Sequence, residues 1–165
     1  MNFDPVAICR VLNEERVQYV IVGGFAAVIH GSPLPTEDID VVPDRTSENL
    51  ERLARGLQRL NARIRTDRDP VPTVIDAAFL ANMPFMLNLV TDYGIVDLTF
   101  EPSGPLRGFE EWNAGASAEL VGEGLTIRVA SLDDVIASKR AANREKDRRA
   151  LPYLESLQEA REAPQ

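Results

Sequence analysis

The chain of 165 residues carries 26 acidic against 18 basic side chains, a net charge of −8. That balance argues against a protein whose whole surface grips a nucleic-acid backbone. A domain of this length buries roughly two thirds of its unfolded surface without a staple, and the lone cysteine, Cys9 between Ile8 and Arg10, reads as a buried thiol. With no basic, apolar leader and no apolar run of about 20 residues, the expectation is a cytoplasmic protein with no membrane partner.

The elements follow in chain order. Val6, Ile8, Leu12 and Val17 recur at helical spacing, with Asp4 as N-cap and Pro5 at the first helical position, so residues 5–16 read as a helix. Tyr19-Val20-Ile21-Val22 is a short strand ending in a tight Gly23-Gly24 turn, and residues 25–30 form a helix up to the breaker Gly31. A strand is expected over residues 38–42. Thr46 or Ser47 then caps a cover helix bearing Leu50, Leu53, Leu57 and Leu60. Residues 61–85 are charged or interrupted by Pro70, Pro72 and Pro84 and give no clear element. Residues 86–90 and 95–100 read as a hairpin around Tyr93-Gly94, with a helical turn at 109–112 and a second strand pair at 118–121 and 125–129. Ser131 opens a helix through Ala142, and a last helix runs from about Arg144, with Pro152 expected to kink or restart it before an acidic end. The alternation of strands and helices without repeats predicts an α/β (α+β) fold, a mixed β-sheet covered by helices, in one domain over residues 1–165 with a helical C-terminal segment at 131–163.

Chemistry concentrates in Gly31-Ser32-Pro33-Leu34-Pro35-Thr36-Glu37-Asp38-Ile39-Asp40. Residues two apart on a strand share a face, so Asp38 and Asp40 present their carboxylates together. An isolated pair of this kind is more often a solvated strand face, but the Gly-Ser turn nearby shifts the reading toward a metal and triphosphate site. Asp97, mid-strand where aspartate is depleted, is the candidate third carboxylate, the alternative being an ion pair with an arginine. Oxygen ligands suit Mg²⁺, with Mn²⁺ as an alternative, and Mg²⁺ takes one or two carboxylates and fills its shell with water and phosphate. Gly31 and Ser32 can offer a backbone N–H and a hydroxyl to the phosphates. His30 reads as a helix-end residue, Glu37 and Asp44 as surface residues, and Gly23-Gly24 is not a dinucleotide fingerprint because no G-x-G-x-x-G follows.

The Gly-Ser turn followed by Asp38-Ile39-Asp40 resembles the nucleotidyltransferase superfamily of DNA polymerase β. The stretch from Val22 to Asp40, together with Ser131 to Asp147, resembles more narrowly the AbiEii/MenT-type toxin nucleotidyltransferases and their small relatives. The resemblance implies that Ser32, Asp38 and Asp40 form the triphosphate and metal site, that Lys139 reaches the phosphates, and that Asp147 holds the lysine or the nucleotide. Leu34 departs from it, standing where relatives often carry arginine, and the chain is shorter than many toxin members. The expected activity is Mg²⁺-dependent transfer of NMP from an NTP to a hydroxyl, with Asp97 assisting its deprotonation. The acceptor implied is tRNA, held on the basic run in which six of the eleven residues 139–149 are Lys or Arg, with a cognate antitoxin as partner. Two alternatives stand beside it: nucleotidylation of a small molecule or protein, and a non-catalytic, antitoxin-like or scaffold protein of the same fold.

Overall fold

The computed structural model describes residues 2–164. Its elements are α1 (Pro5–Glu14), β1 (Tyr19–Val22), α2 (Gly23–His30), β2 (Asp38–Pro43), α3 (Ser47–Arg59), β3 (Arg63–Ile64), α4 (Ala77–Ala81), β4 (Met86–Thr91), β5 (Gly94–Thr99), α5 (Gly108–Gly115), β6 (Ser117–Val121), β7 (Leu125–Val129), α6 (Leu132–Ala142) and α7 (Glu145–Glu162). The seven strands form one mixed sheet in the order β3-β4-β5-β2-β1-β7-β6. The β2–β5 and β1–β7 pairs are parallel and the others antiparallel. The α/β expectation with a mixed, helix-covered sheet is met.

Local chemistry sets the element ends. The Asp4 carboxylate accepts from Ala7 N at 2.9 Å to open α1, Thr46 caps α3 through Asn49 N, and Ser131 caps α6 through Asp134 N at 3.1 Å. Asn49 is buried and clamps three segments, accepting from Gln18 N at 2.7 Å and donating to Gln18 O and Asp44 O. Leu50, Leu53, Leu57 and Leu60 of the α3 stripe are at most 2 % exposed. Burying each such leucine contributes about 1.5–3 kcal/mol, which is why this helix, with few other apolar residues, stays on the sheet.

Three expectations change. The tight turn after β1 is made by Gly23 alone, at φ +65°, and α2 is counted from it, earlier than expected. The structureless segment contains β3, bonded to β4, and the short α4 capped by Asp76. The last helix runs through Pro152 without interruption.

Candidate active site

Strand register brings the three aspartates together. In the parallel β2–β5 ladder Asp40 stands opposite Asp97 and Asp38 opposite Ile95. Neighbouring strands lie about 4.8 Å apart, and residues two apart along a strand about 6.6 Å, so all three carboxylates emerge on one face at one end of the sheet. Ile39 and Val41 point the other way and are fully buried, as is Leu98, which fixes that register: a one-residue slip would drive the aspartates into the core. Burial, with the charges of Asp38 and Asp97, pushes the Asp40 carboxyl up to about 7, against the pull of Lys146 and Lys139. Burial also raises Asp97, the Arg65 guanidinium pulling it back down and Asp38 adding to the rise. Thr36 orients Asp38, its hydroxyl lying 3.2 Å from both the backbone oxygen and Oδ1 of that residue.

The glycines at the start of α2 give the carboxylates room. Gly23 has φ +65°, and a Cβ there would lie 2.1 Å from Asp40 Oδ2. Only glycine combines that backbone with that approach. Gly24 faces the Thr36 hydroxyl in the same way, at 3.1 Å. Beside them opens a cleft of about 450 Å³ whose lining includes Gly23, Gly24, Ser32, Asp38, Asp40 and Lys139.

Cations from the α6–α7 corner form the opposite wall of that cleft. Lys139, Arg144, Lys146 and Arg149 all line it. Asp147 is fully buried behind them. It receives Arg144 Nε at 2.8 Å and Arg144 N at 3.0 Å, with Lys139 Nζ at 3.5 Å. Burial by itself would raise the Asp147 carboxyl; the hydrogen bonds and charge of Arg144, with Lys139, hold it below the ordinary range. Asp147 therefore touches the lysine and caps α7, while the cations it fixes face the cleft.

The Gly-Ser turn is used differently from the expectation. Gly31, at φ +118°, ends α2, its N–H donating to Val28 O at 3.0 Å and Ser32 N–H to Ala27 O at 2.9 Å. Both backbone donors close the helix and are not offered to a phosphate, and Gly31 is absent from the cleft lining. Ser32 does line the cleft; its hydroxyl accepts from Leu34 N at 3.3 Å and keeps its own proton to donate. Leu34 and Glu37 also line it. His30 serves the helix end, with Nε2 2.7 Å from Ala130 O and Nδ1 3.2 Å from Arg161. The basic residues of the run 139–149 are exposed except for the buried Lys139, and they are divided between the cleft and the outer surface. Three of its charges besides Lys139 turn into the cleft, Arg140 pairs with Glu155 at 3.0 Å, and Arg148 bonds Asn143 O.

The arginine pair weighed as the alternative for Asp97 is present, and its partner, which the sequence did not identify, is Arg65. Its Nη2 lies 3.3 Å from Asp97 Oδ1. It belongs to the charged stretch after β3, and only the β3–β4–β5 register, invisible in local periodicity, carries it to Asp97. Gly23-Gly24 did stand out in the sequence; the usable signal was a glycine pair ending a strand antiparallel to the two-aspartate strand.

Among the described residues no three Asp, Glu, His or Cys side chains already converge as a ready-made metal cage. The donors are nonetheless carboxylate oxygens, Asp40 raised by burial and then by its two neighbours, which is the chemistry of a hard cation shared with phosphate. No helix among the described residues is long and apolar enough to cross a membrane.

No protein-family model matches the chain, and no curated protein does. Solved structures do. The lincosamide antibiotic adenylyltransferase LnuA, solved with lincomycin bound, superposes with a TM-score of 0.64 at 18 % identity, over 95 % of this chain and 99 % of that one. A candidate nucleotidyltransferase from Thermotoga maritima gives 0.57 at 17 % identity, over 92 % and 90 %. ANT(2″)-Ia, in complex with adenylyl-2″-tobramycin, gives 0.56 at 17 % identity, over 93 % and 91 %. The chain has the nucleotidyltransferase fold.

Proposed function

We propose that this chain is a metal-dependent nucleotidyltransferase that moves NMP from an NTP to a hydroxyl of a small molecule. The observation that carries the reading is the register that sets Asp40 opposite Asp97, with Asp38 on the same face; Asp38 and Asp40 line a cleft walled by four cations, and Asp97 lies beside it on the next strand. Charge of both signs is thereby disposed as a metal–triphosphate complex requires. The fold shared with two adenylyltransferases, over nearly the whole of each chain, supports it.

Asp38, Asp40 and Asp97 would hold Mg²⁺ or Mn²⁺, which when bound stabilises charge on the attacking and leaving oxygens. Lys139, Arg144, Lys146 and Arg149 hold the triphosphate, Lys139 being fixed by Asp147 and so losing little freedom on binding. The Ser32 hydroxyl donates to a phosphate oxygen. The acceptor oxygen arrives from the Asp97 side and bonds to the α-phosphorus; its proton passes to Asp97; the bond to the bridging oxygen of the β-phosphate breaks, and pyrophosphate leaves along the cationic wall. The strands that carry the site belong to one seven-stranded sheet, in keeping with one domain over the 165 residues, working in the cytoplasm where NTPs are.

A small acceptor is favoured over tRNA because four of the six cations of the basic run line the nucleotide cleft, which leaves Arg140 and Arg148, both engaged within the protein, outside it. Two of the three neighbours of matching length were solved with an antibiotic or an adenylylated antibiotic bound. The test supplies each NTP with Mg²⁺ or Mn²⁺ and either a pool of small hydroxyl compounds or total tRNA, and measures pyrophosphate release together with the mass of the product. Acceptor-dependent pyrophosphate and an acceptor heavier by one NMP are expected with the small-molecule pool. Label on tRNA alone would restore the toxin-type reading, with its antitoxin partner; no release with any acceptor would leave a non-catalytic protein of this fold.

A further inference from the structure

We infer that Arg65, with Asn88 beside it, forms an acceptor subsite that selects a hydroxyl compound carrying an anionic group, phosphate or carboxylate, and disfavours polycations. The inference rests on the nucleotidyl-transfer reading and adds to it the chemical class of the acceptor.

The polar groups of the site continue across the sheet as a row. Asp40 is opposite Asp97, Asp97 is opposite Asn88, and Asn88 O accepts from Arg65 N at 3.0 Å. The triphosphate cations lie on the Asp40 side of this row. The acceptor must therefore arrive on the Asp97 side, where Asn88 is exposed and Met86, two residues before it on the same face, is 46 % exposed. Thr99, two residues beyond Asp97 on that face, has a buried hydroxyl with no partner.

Arg65 is the guanidinium of this region that touches a site carboxylate; Arg68, exposed in the turn that follows, touches none. Arg63 pairs with Asp92, and Arg45 stacks over Phe100 while donating to Ala81 O and Met83 O. Asp67 and Asp69, in the turn that follows, pair with no arginine among the described residues. The carboxylate partner of Arg65 is Asp97, with the arginine side chain 38 % exposed and the aspartate 9 %. Once Asp97 is engaged by a cation, Arg65 loses that partner, and its planar fork matches phosphate or carboxylate in a bidentate geometry. At the guanidinium itself a polycationic acceptor would meet like charge, set against the attraction of Asp67 and Asp69 in the turn that follows.

The experiment measures binding, not turnover. Calorimetric titration of the chelator-treated protein compares glycerol 3-phosphate with glycerol, and tobramycin with a short RNA ending in a 3′ hydroxyl. In the wild type the Arg65–Asp97 pair keeps phosphate binding weak. Asp97→Asn, which releases Arg65, should tighten glycerol 3-phosphate by about fivefold or more while leaving glycerol unchanged. The double variant Arg65→Gln/Asp97→Asn should lose that gain, and Arg65→Lys/Asp97→Asn should keep most of it. If the two double variants bind alike, or if tobramycin binds tighter than glycerol 3-phosphate, the inference is overturned. Should Asp97→Asn not fold, the same comparison of Arg65→Gln with Arg65→Lys is made in the otherwise unaltered protein with Mg²⁺ and ATP. Preference for the RNA over glycerol 3-phosphate at equal charge would identify a terminal ribose beside a phosphodiester as the source of the anion. With Mg²⁺ restored, ATP titrated into the wild type and the single Arg65 variants reports the cleft separately: ATP bound without an Arg65 effect removes the subsite alone, whereas an Arg65 effect without ATP binding removes the nucleotidyl-transfer reading.

Discussion

Replacing Asp40 by asparagine should make the protein more stable at pH 8 and leave it unchanged at pH 4. The folded carboxyl titrates near 7, against about 3.9 for an unperturbed aspartate. Below about pH 4 both states hold the proton and the charge costs nothing. Between about 4 and 7 the folded state keeps a proton that the unfolded state has released, so wild-type stability falls as pH rises through this window; above about 7 the full penalty applies. At about 1.36 kcal/mol per pKa unit the penalty approaches ~4 kcal/mol, and solvent relaxation around a site at the mouth of a cleft reduces it to about 2 kcal/mol. Asparagine keeps the shape, including the approach to Gly23, and removes the charge. Urea or thermal denaturation with chelator at pH 4 and pH 8 reads this directly: the variant should gain about 4–8 °C in Tm at pH 8 and nothing at pH 4. A variant equally stable or less stable than wild type at pH 8, or a gain of the same size at both pH values, would refute the view that crowded, buried charge is what raises Asp40.

Gly23→Ala should lower stability by about 2–4 kcal/mol and abolish nucleotide binding, since the new Cβ lies 2.1 Å from Asp40 Oδ2 on a backbone at φ +65°; circular dichroism melts and ATP titration check it. Asp147→Ala leaves the buried Lys139 unpaired and uncaps α7, at a cost of about 3–5 kcal/mol, and adding Lys139→Met should recover part of it in the same urea titration. Lys146→Ala and Arg149→Ala, both exposed on the cleft wall, should leave Tm within about 1 °C yet weaken ATP binding several-fold each, with the loss shrinking as salt is raised.

Much of the fold is legible from local pattern because local chemistry decides it. The leucine stripe of α3, the Asp4 and Thr46 caps, and the apolar faces of Ile39, Val41, Val96 and Leu98 are each set by residues a few positions apart. That Asp38 and Asp40 share a face follows from the period of a strand. What stays hidden depends on long-range register. That Asp97 falls opposite Asp40 requires a parallel crossover pairing, and the place of Arg65 requires two further strand registers, one of them through a two-residue strand with no periodicity of its own. The Gly-Ser turn misled for a related reason: its backbone donors look free in sequence but are consumed in ending α2. The basic run is exposed as the sequence suggests, but a sequence shows where charges cluster, not that a helix corner turns four of them toward the cleft.

The most direct test of the central claim compares α-labelled with γ-labelled NTP in the presence of Mg²⁺ and an accepting hydroxyl compound. The account predicts that the α label appears on the acceptor, that the γ label leaves as pyrophosphate, and that both are abolished in Asp40→Asn, whose fold is intact by its melting curve. Transfer of the γ label to the acceptor, or α-label transfer undiminished in Asp40→Asn, would contradict it.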